Sequence, residues 1–235
     1  MRGLFHIHSN YSFDSFMKPE IIVDYAIRND FDVLSITDHN TIMGSLIAKK
    51  YNSSQKLQII IGAEYTTDKG DIIGLFLDEE IKSNISEKVI DDIKKQSGIV
   101  VLPHPFKGHK LDEELIRSMD LIEVYNARNS IQNNDASRNL SKKYHKQFIA
   151  GIDAHFLKEL GLVEVNFEVI DKSDSLKELI LKADRKILCK ENRIFEYFEI
   201  ASQFVKSYKL KNIRLFSNVI KRLISKLGHD ILLKI

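Results

Sequence analysis

"GLFHIHSNYSFDSFMKPEIIVDYAIRNDFDVLSITDHN", residues 3–40, decides the fold. "GLFHI" (3–7) reads as a short buried strand. "KPEIIVDYAIRN" (18–29) has apolar residues at helical spacing and Pro19 near its start, where the fixed φ of proline is tolerated. "FDVLSIT" (31–37) is a second β-rich apolar run. Strand, helix and strand in succession predict two parallel strands joined by a helical crossover. Both strands run into polar residues that a buried strand does not ordinarily contain: His6 and His8 in the first, Asp38 and His39 after the second.

The same alternation continues along the chain. Further strands are expected at "LQIIIGAE" (57–64), "DIIGLFL" (71–77), "GIVVLP" (98–103), "DLIEVYN" (120–126), "FIAGID" (148–153) and "GLVEVNFEVI" (161–170). Helices are expected at 86–98, which opens with Ser86 and Glu87 in capping places and ends in glycine, and at 135–146. This pattern predicts an α/β fold with a mainly parallel sheet, open or closed into a barrel.

The 235 residues are 43% hydrophobic and 29% charged, a globular composition long enough for a substantial core. No apolar run reaches the roughly 18 residues of a membrane span, and the first residues lack the pattern of a signal peptide. The lone cysteine, Cys189, excludes an internal disulfide framework and suits a reducing compartment, so a cytoplasmic protein is expected. The formal net charge of +2 is unevenly spread. Eight Lys/Arg against one acid from Lys206 onward give the tail +7, which leaves the first 205 residues at −5. The body therefore gives no reason to expect nucleic-acid binding.

The costly polar residues fall at strand ends. Besides the first two strands, Glu64 follows "IIIGA", His104 follows "IVVLP", Asn126 ends "LIEVYN", and Asp153 and His155 follow "FIAGI". In parallel α/β folds that rim binds ligands, because its loops can vary while the sheet holds position. His6 and His8, two apart on a strand, are expected to point to the same side. Imidazole with carboxylate and no thiolate suits zinc, manganese or iron and argues against a structural thiolate zinc site. So many donors exceed the needs of one ion. A carboxylate such as Glu64 can bridge two metals, and such a pair acidifies a bridging water and clamps phosphate oxygens. Hydrolysis of a phosphate ester by a metal-bridging hydroxide is the chemistry this set suits best.

In order, "HIHSNYSFDS", "SITDHNTIMG", "GAE", "LPHP", "IEVYN" and "GIDAHF" resemble the motifs of the polymerase and histidinol phosphatase (PHP) superfamily. The resemblance runs over about residues 3–170. It implies a distorted (β/α)7 TIM-like barrel, placed at residues 1–185, and the basic residues beyond it are expected to form a helical C-terminal extension over 186–235. It also implies two or three divalent ions: one among His6, His8, Glu64 and Asp153, a second held by Glu64 and His104, and a third by Asp14, His39 and His155. This chain departs from the family in two places. Asn126, a weaker donor, is the nearest candidate for the metal-ligand place where some members carry another histidine, and "GIDAH" replaces the common "GSDAH". Asp38 and Ser12 are expected to orient the ligands, and Arg128 and Lys107 to bind a substrate phosphate. His109, His145 and His229 match no motif.

The compact chain resembles small family members that cleave nucleotides or short oligonucleotides. Histidinol-phosphate and protein tyrosine phosphatases are the alternatives within the family. A metal-binding docking module without catalysis is the alternative outside it. The segment 189–235 reads as two amphipathic basic helices. They are expected to pack on the barrel or to meet an anionic surface or a protein partner.

Overall fold

The computed structural model describes residues 1–168, 175–190 and 195–232. Its strands are β1 (Arg2–Leu4), β2 (Val33–Ile36), β3 (Gln58–Thr67), β4 (Gly70–Leu75), β5 (Ile99–Leu102), β6 (Leu121–Asn126), β7 (Gln147–Gly151), β8 (Val163–Phe167) and β9 (Arg185–Cys189). The helices are α1 (Pro19–Arg28), α2 (Met43–Tyr51), α3 (Ser86–Lys95), α4 (Glu113–Ser118), α5 (Ile131–Lys143), α6 (Leu176–Lys182), α7 (Phe195–Lys209) and α8 (Ile213–Leu232).

The opening unit folds as its sequence predicts. β1 and β2 pair in parallel and α1 crosses between them, with Pro19 as its first residue. All four residues of β2 are buried, as a strand covered on both faces requires. The strands form one nine-stranded sheet in the order β7-β6-β5-β4-β3-β2-β1-β8-β9. Beyond β1, the chain returns to the far edge. Ile7 bridges Ala154 in parallel, Ile152 N–H donates to Phe5 O and His8 N–H to Ala154 O, so the sheet is a nearly closed barrel.

The sheet is less parallel than the sequence suggests. β3/β4, β4/β5, β1/β8 and β8/β9 are antiparallel, matching the four parallel pairings in number. Only Asp68 and Lys69 separate β3 from β4, too few residues for a crossover, so a hairpin is the only connection available. The last strand also differs from expectation: β8 ends at Phe167, and residues 169–170 lie outside the described residues. β9 pairs along its whole length with β8, so a boundary between residues 185 and 186 falls inside a strand of the sheet. α3 begins at Ser86 without a side-chain cap of its own; Asp68 of the β3–β4 turn accepts from Ser86 N instead.

The core consists of two apolar clusters. One is centred on Leu4, Ile7, Leu34 and Ile36, and the other on Tyr65, Ile93, Val100 and Ile122 beneath α3. Together they hold the strand ends rigid around the polar centre.

Candidate metal centre

The extension of β1 is not a regular strand. His6 takes a left-handed φ of 58°, so the alternation of a strand is broken there, and the backbone kink rather than the two-residue period aims the His6 and His8 rings. Their centroids lie 5.3 Å apart. His104 (φ 28°) and Asp153 (φ 56°) share this conformation, which side chains other than glycine rarely adopt. Strain at three candidate ligands marks a place where packing fixes side-chain direction against local preference.

The structure gathers His6, His8, Asp14, His39, Glu64, His104, Asp153 and His155 into one buried cluster. His8, Asp14, His39 and His155 each place a donor atom within 4.8 Å of the other three. The same holds for His6, His8 and Glu64, for His6, His104 and Asp153, and for Glu64, Asp71 and His104. Glu64 is central: its Oε1 lies 3.0 Å from His104 Nε2 and 3.4 Å from His6 Nε2, and its Oε2 lies 3.3 Å from His39 Nδ1. Asp14 Oδ2 is 3.2 Å from His39 Nε2 and 3.1 Å from His155 Nε2.

A metal fits these donors. His6 Nε2, His8 Nε2, His39 Nδ1 and Asp14 Oδ1 are buried without a hydrogen-bond partner, an arrangement that is costly unless another group satisfies them. Imidazole and carboxylate donors with no thiolate suit a divalent ion of zinc, manganese or iron type. Cys189 is exposed on β9 and takes no part.

A match to the PHP domain spans residues 5–224. The chain belongs to the PHP domain family. It is 30% identical to the uncharacterized protein MJ0417 of Methanocaldococcus jannaschii over 244 aligned positions, covering 95% of this chain and 98% of that one. It is 37% identical to the uncharacterized protein MJ1587 of the same organism over 159 residues, 61% of this chain and 93% of that one. Among solved structures it resembles PsfC of Pseudomonas syringae, with a TM-score of 0.65, 17% identity, and coverage of 88% and 98%. It also resembles a two-domain protein of Bacteroides vulgatus described as containing a predicted PHP-like metal-dependent phosphoesterase, at a TM-score of 0.57 and 22% identity. That match covers 66% of this chain and 52% of the other, so this chain matches about half of the two-domain protein. At these identities the likeness is one of fold, a TIM-like barrel.

Around the PHP centre a second layer of groups fixes the donors. Glu123, buried on β6, accepts from His6 Nδ1 through Oε1 at 2.8 Å. Its Oε2 accepts from His104 N at 2.7 Å and from Asn126 Nδ2 at 2.9 Å. One carboxylate thus turns His6 Nε2 toward the centre and holds the strained backbone of His104. Gly151 makes room for it, because a Cβ there would lie 1.8 Å from Glu123 Oε1 and 2.7 Å from His6 Cβ. Ser12 Oγ accepts from His39 N and touches His8 Nδ1 at 3.1 Å, as an orienting role requires.

Three sequence-based expectations change. Asn126 is not brought to the donors: its Nδ2 is spent on Glu123 and its Oδ1 accepts from Arg128 N. Asp38 holds the Ser9 loop and not the His39 ring, accepting from Ser9 N at 2.5 Å and Ser9 Oγ at 2.6 Å. Arg128 lines the cleft, but its guanidinium is engaged: Nε and Nη2 donate to buried Glu159, and Nη1 donates to Ser202 of α7. Glu159 Oε2 in turn accepts from His155 N. Lys107 lines the same cleft, whose volume is about 320 Å³.

Glu123, Glu159 and Asp71 belong to the site but lie outside the candidate residues that the sequence offers. Glu123 carries a signal, an acid in the middle of an apolar strand, "LIEVYN". The other two carry none, since each lies where surface acids are ordinary. His109 Nε2 donates to Asp71 O at 2.8 Å, and His145 follows α5 with a left-handed φ of 50°. The side chain of His229 lies outside the described residues.

The electrostatics follow from crowding. Burial opposes charge on Glu64, but His6, His39 and His104 outweigh it and hold its pKa well below the usual carboxylate range. Burial likewise opposes charge on His39, yet Glu64 and Asp14 raise its pKa to about 9. His8 goes the other way: burial, then the neighbouring His155 and His39, lowers it to about 3. Burial, followed by the nearby Glu64, raises Asp71.

Proposed function

We propose that this PHP domain is a phosphoesterase that hydrolyses a phosphate ester, with a nucleotide or short oligonucleotide as substrate. One observation carries this reading: eight imidazole and carboxylate side chains, delivered by five strand ends of the barrel, converge on one cluster in which five buried nitrogen and oxygen atoms are unpartnered. His6, His8, Asp14, His39, Glu64, His104, Asp153 and His155 would hold two or three divalent ions of manganese, zinc or iron, with Asp71 beside His104. When bound, such ions supply Lewis acidity toward phosphate oxygens and a water acidified toward neutrality.

The chain's own residues supply the rest. Lys107 and Lys206 line the mouth of the cleft, above the carboxylates of its floor, and favour an anionic group. Arg128 lines the same cleft, but its charge is offset by buried Glu159, so it braces the wall between Glu159 and α7 and does not reach for a ligand. Ser202 and Gln203 of α7 close one side, which favours a small ester or a chain end over a continuous polymer. Glu123 and Ser12 keep the imidazoles aimed as substrate enters and product leaves.

Phosphate release from p-nitrophenyl phosphate and from a panel of nucleotides and dinucleotides, measured on manganese-loaded protein, tests this reading. Turnover is expected, with nucleotides preferred by about tenfold or more in kcat/KM. Full metal occupancy without turnover on any substrate would overturn it in favour of a metal-binding docking module. Turnover confined to histidinol phosphate or phosphotyrosine would overturn the choice of substrate alone.

A further inference from the structure

The tail contains a surface that the metal centre does not use. α8 packs on α7 through buried Val219 and half-buried Leu215 and Leu223. Alongside this packed face runs a second apolar stripe that is largely open among the described residues: Ile213 is 84% exposed and Ile224 64%, and between them Phe216, whose ring edge meets Phe204 of α7 at 5.5 Å, and Ile220 are also exposed. The spacing of three and four residues puts these side chains on one face of the helix. The sequence keeps that spacing at Leu227 and Ile231. Toward the start of α8 the stripe is extended by Tyr208, 75% exposed, whose ring meets that of exposed Phe16 at 6.2 Å.

The charge beside the stripe has one sign. Between Glu199 and Asp230 the chain holds seven Lys/Arg and no acid. Lys211, Arg214 and Lys221 are exposed, and Arg214 and Lys221 lie on the flank of α8 next to the stripe. No helix among the described residues is long and apolar enough to cross a membrane. We infer that this face of α7 and α8 docks on an anionic lipid surface, with the stripe lying in the interface and the basic residues meeting the headgroups.

Charge decides between occupants. A second copy of the chain would meet this patch through the same patch, as a two-fold interface requires. That would set Lys211, Arg214 and Lys221 near their own equivalents with no acid to offset them. An anionic bilayer offers an apolar layer beneath negative charge, which complements both parts of the surface. Phe16 lies two residues from Asp14, so the docked face is next to the mouth of the cleft.

Co-sedimentation of the full chain with vesicles tests the inference, using phosphatidylcholine alone and phosphatidylcholine mixed with phosphatidylglycerol. Binding to the mixed vesicles is expected to exceed binding to neutral ones by about tenfold or more and to weaken with salt. Combining Ile213→Ser, Phe216→Ser and Ile220→Ser is expected to lower it about tenfold or more, with metal content and circular dichroism unchanged. Lys211→Glu, Arg214→Glu and Lys221→Glu together should do the same without touching the apolar stripe. Equal binding to both vesicle types, or binding that survives both variants, would overturn the inference. So would a concentration-dependent dimer that the serine variant dissolves while vesicles are not bound. Phosphate release is measured separately, so failure of docking is distinguishable from failure of the proposed activity.

Discussion

Glu123 belongs to none of the clustered donor groups, yet its two oxygens accept from His6 Nδ1, His104 N and Asn126 Nδ2. All three are donors, so an amide in its place turns an NH2 group toward at least one of them. Glu123→Gln is therefore expected to weaken metal affinity about 10- to 100-fold with the fold intact, measured by chelator competition and circular dichroism. Unchanged affinity would show that packing alone aims His6. Gly151→Ala acts on the same contact from the other side, since its Cβ would overlap Glu123 Oε1. It is expected to destabilise the protein by about 1–3 kcal/mol in urea unfolding and to weaken metal binding as well. Because both changes disturb one contact, their effects on affinity should fall short of additive in the double variant.

At the scale of elements, α7 is part of the site. Lys209 Nζ donates to the carbonyls of Asn10, Ser12 and Ser15 at 2.8, 2.6 and 2.6 Å, and so clamps the loop that carries Ser12 and Asp14. Phe13 in that loop stacks on His39 at 4.4 Å, and Lys206 Nζ sits 4.4 Å from the same ring. Lys209→Met keeps much of the side-chain length and removes all three bonds. It is expected to lower stability by about 1–3 kcal/mol. It should also reduce affinity at the Asp14, His39 and His155 group more than at His6, His104 and Asp153, as read from the stoichiometry of a metal titration. A uniform loss at all sites would mean that the loop is held by other contacts. The sequence shows α7 only as an amphipathic basic helix. Nothing in its residues tells that Lys209 folds back to residues nearly two hundred positions away, since that pairing exists only once the barrel has placed the loop beside α7.

For the whole molecule, the centre couples protonation, metal binding and folding. Without metal, His39 titrates near 9, and His6 and His104 are also raised. His39 therefore holds a proton at pH 7.5, whereas a metal takes the neutral ring. Binding must then expel protons, and affinity should climb as pH rises toward about 9. Calorimetric manganese titrations at pH 7.5 in two buffers of different ionisation enthalpy should give different heats, corresponding to release of one or more protons. Equal heats would contradict the assignment of these rings as ligands. Metal should also raise the melting temperature, since an ion bound only by the folded state at about 100 times its Kd adds about 2.7 kcal/mol. A chelator should reverse that gain in the same scan.

Much of this molecule is legible in order along the chain. The alternation of apolar runs and helical stretches determined an α/β fold, because burial on both faces of a strand needs continuous apolar sequence, and the resemblance of the motifs added its closure into a barrel. Placement of histidines and carboxylates after those runs determined which residues meet at the rim. Tertiary structure alone decided the direction of the strands near the β3–β4 hairpin, where a two-residue link overrides the parallel pattern. It also decided the left-handed kinks at His6, His104 and Asp153, the spending of Asn126 and Asp38 on neighbouring backbone and side chains, and the place of Glu123 and Lys209 in the centre. The physical reason is common to all of these. Donor type and period are local properties of a sequence, whereas the partner that satisfies a buried polar group is chosen by whatever the closed barrel brings within hydrogen-bond reach.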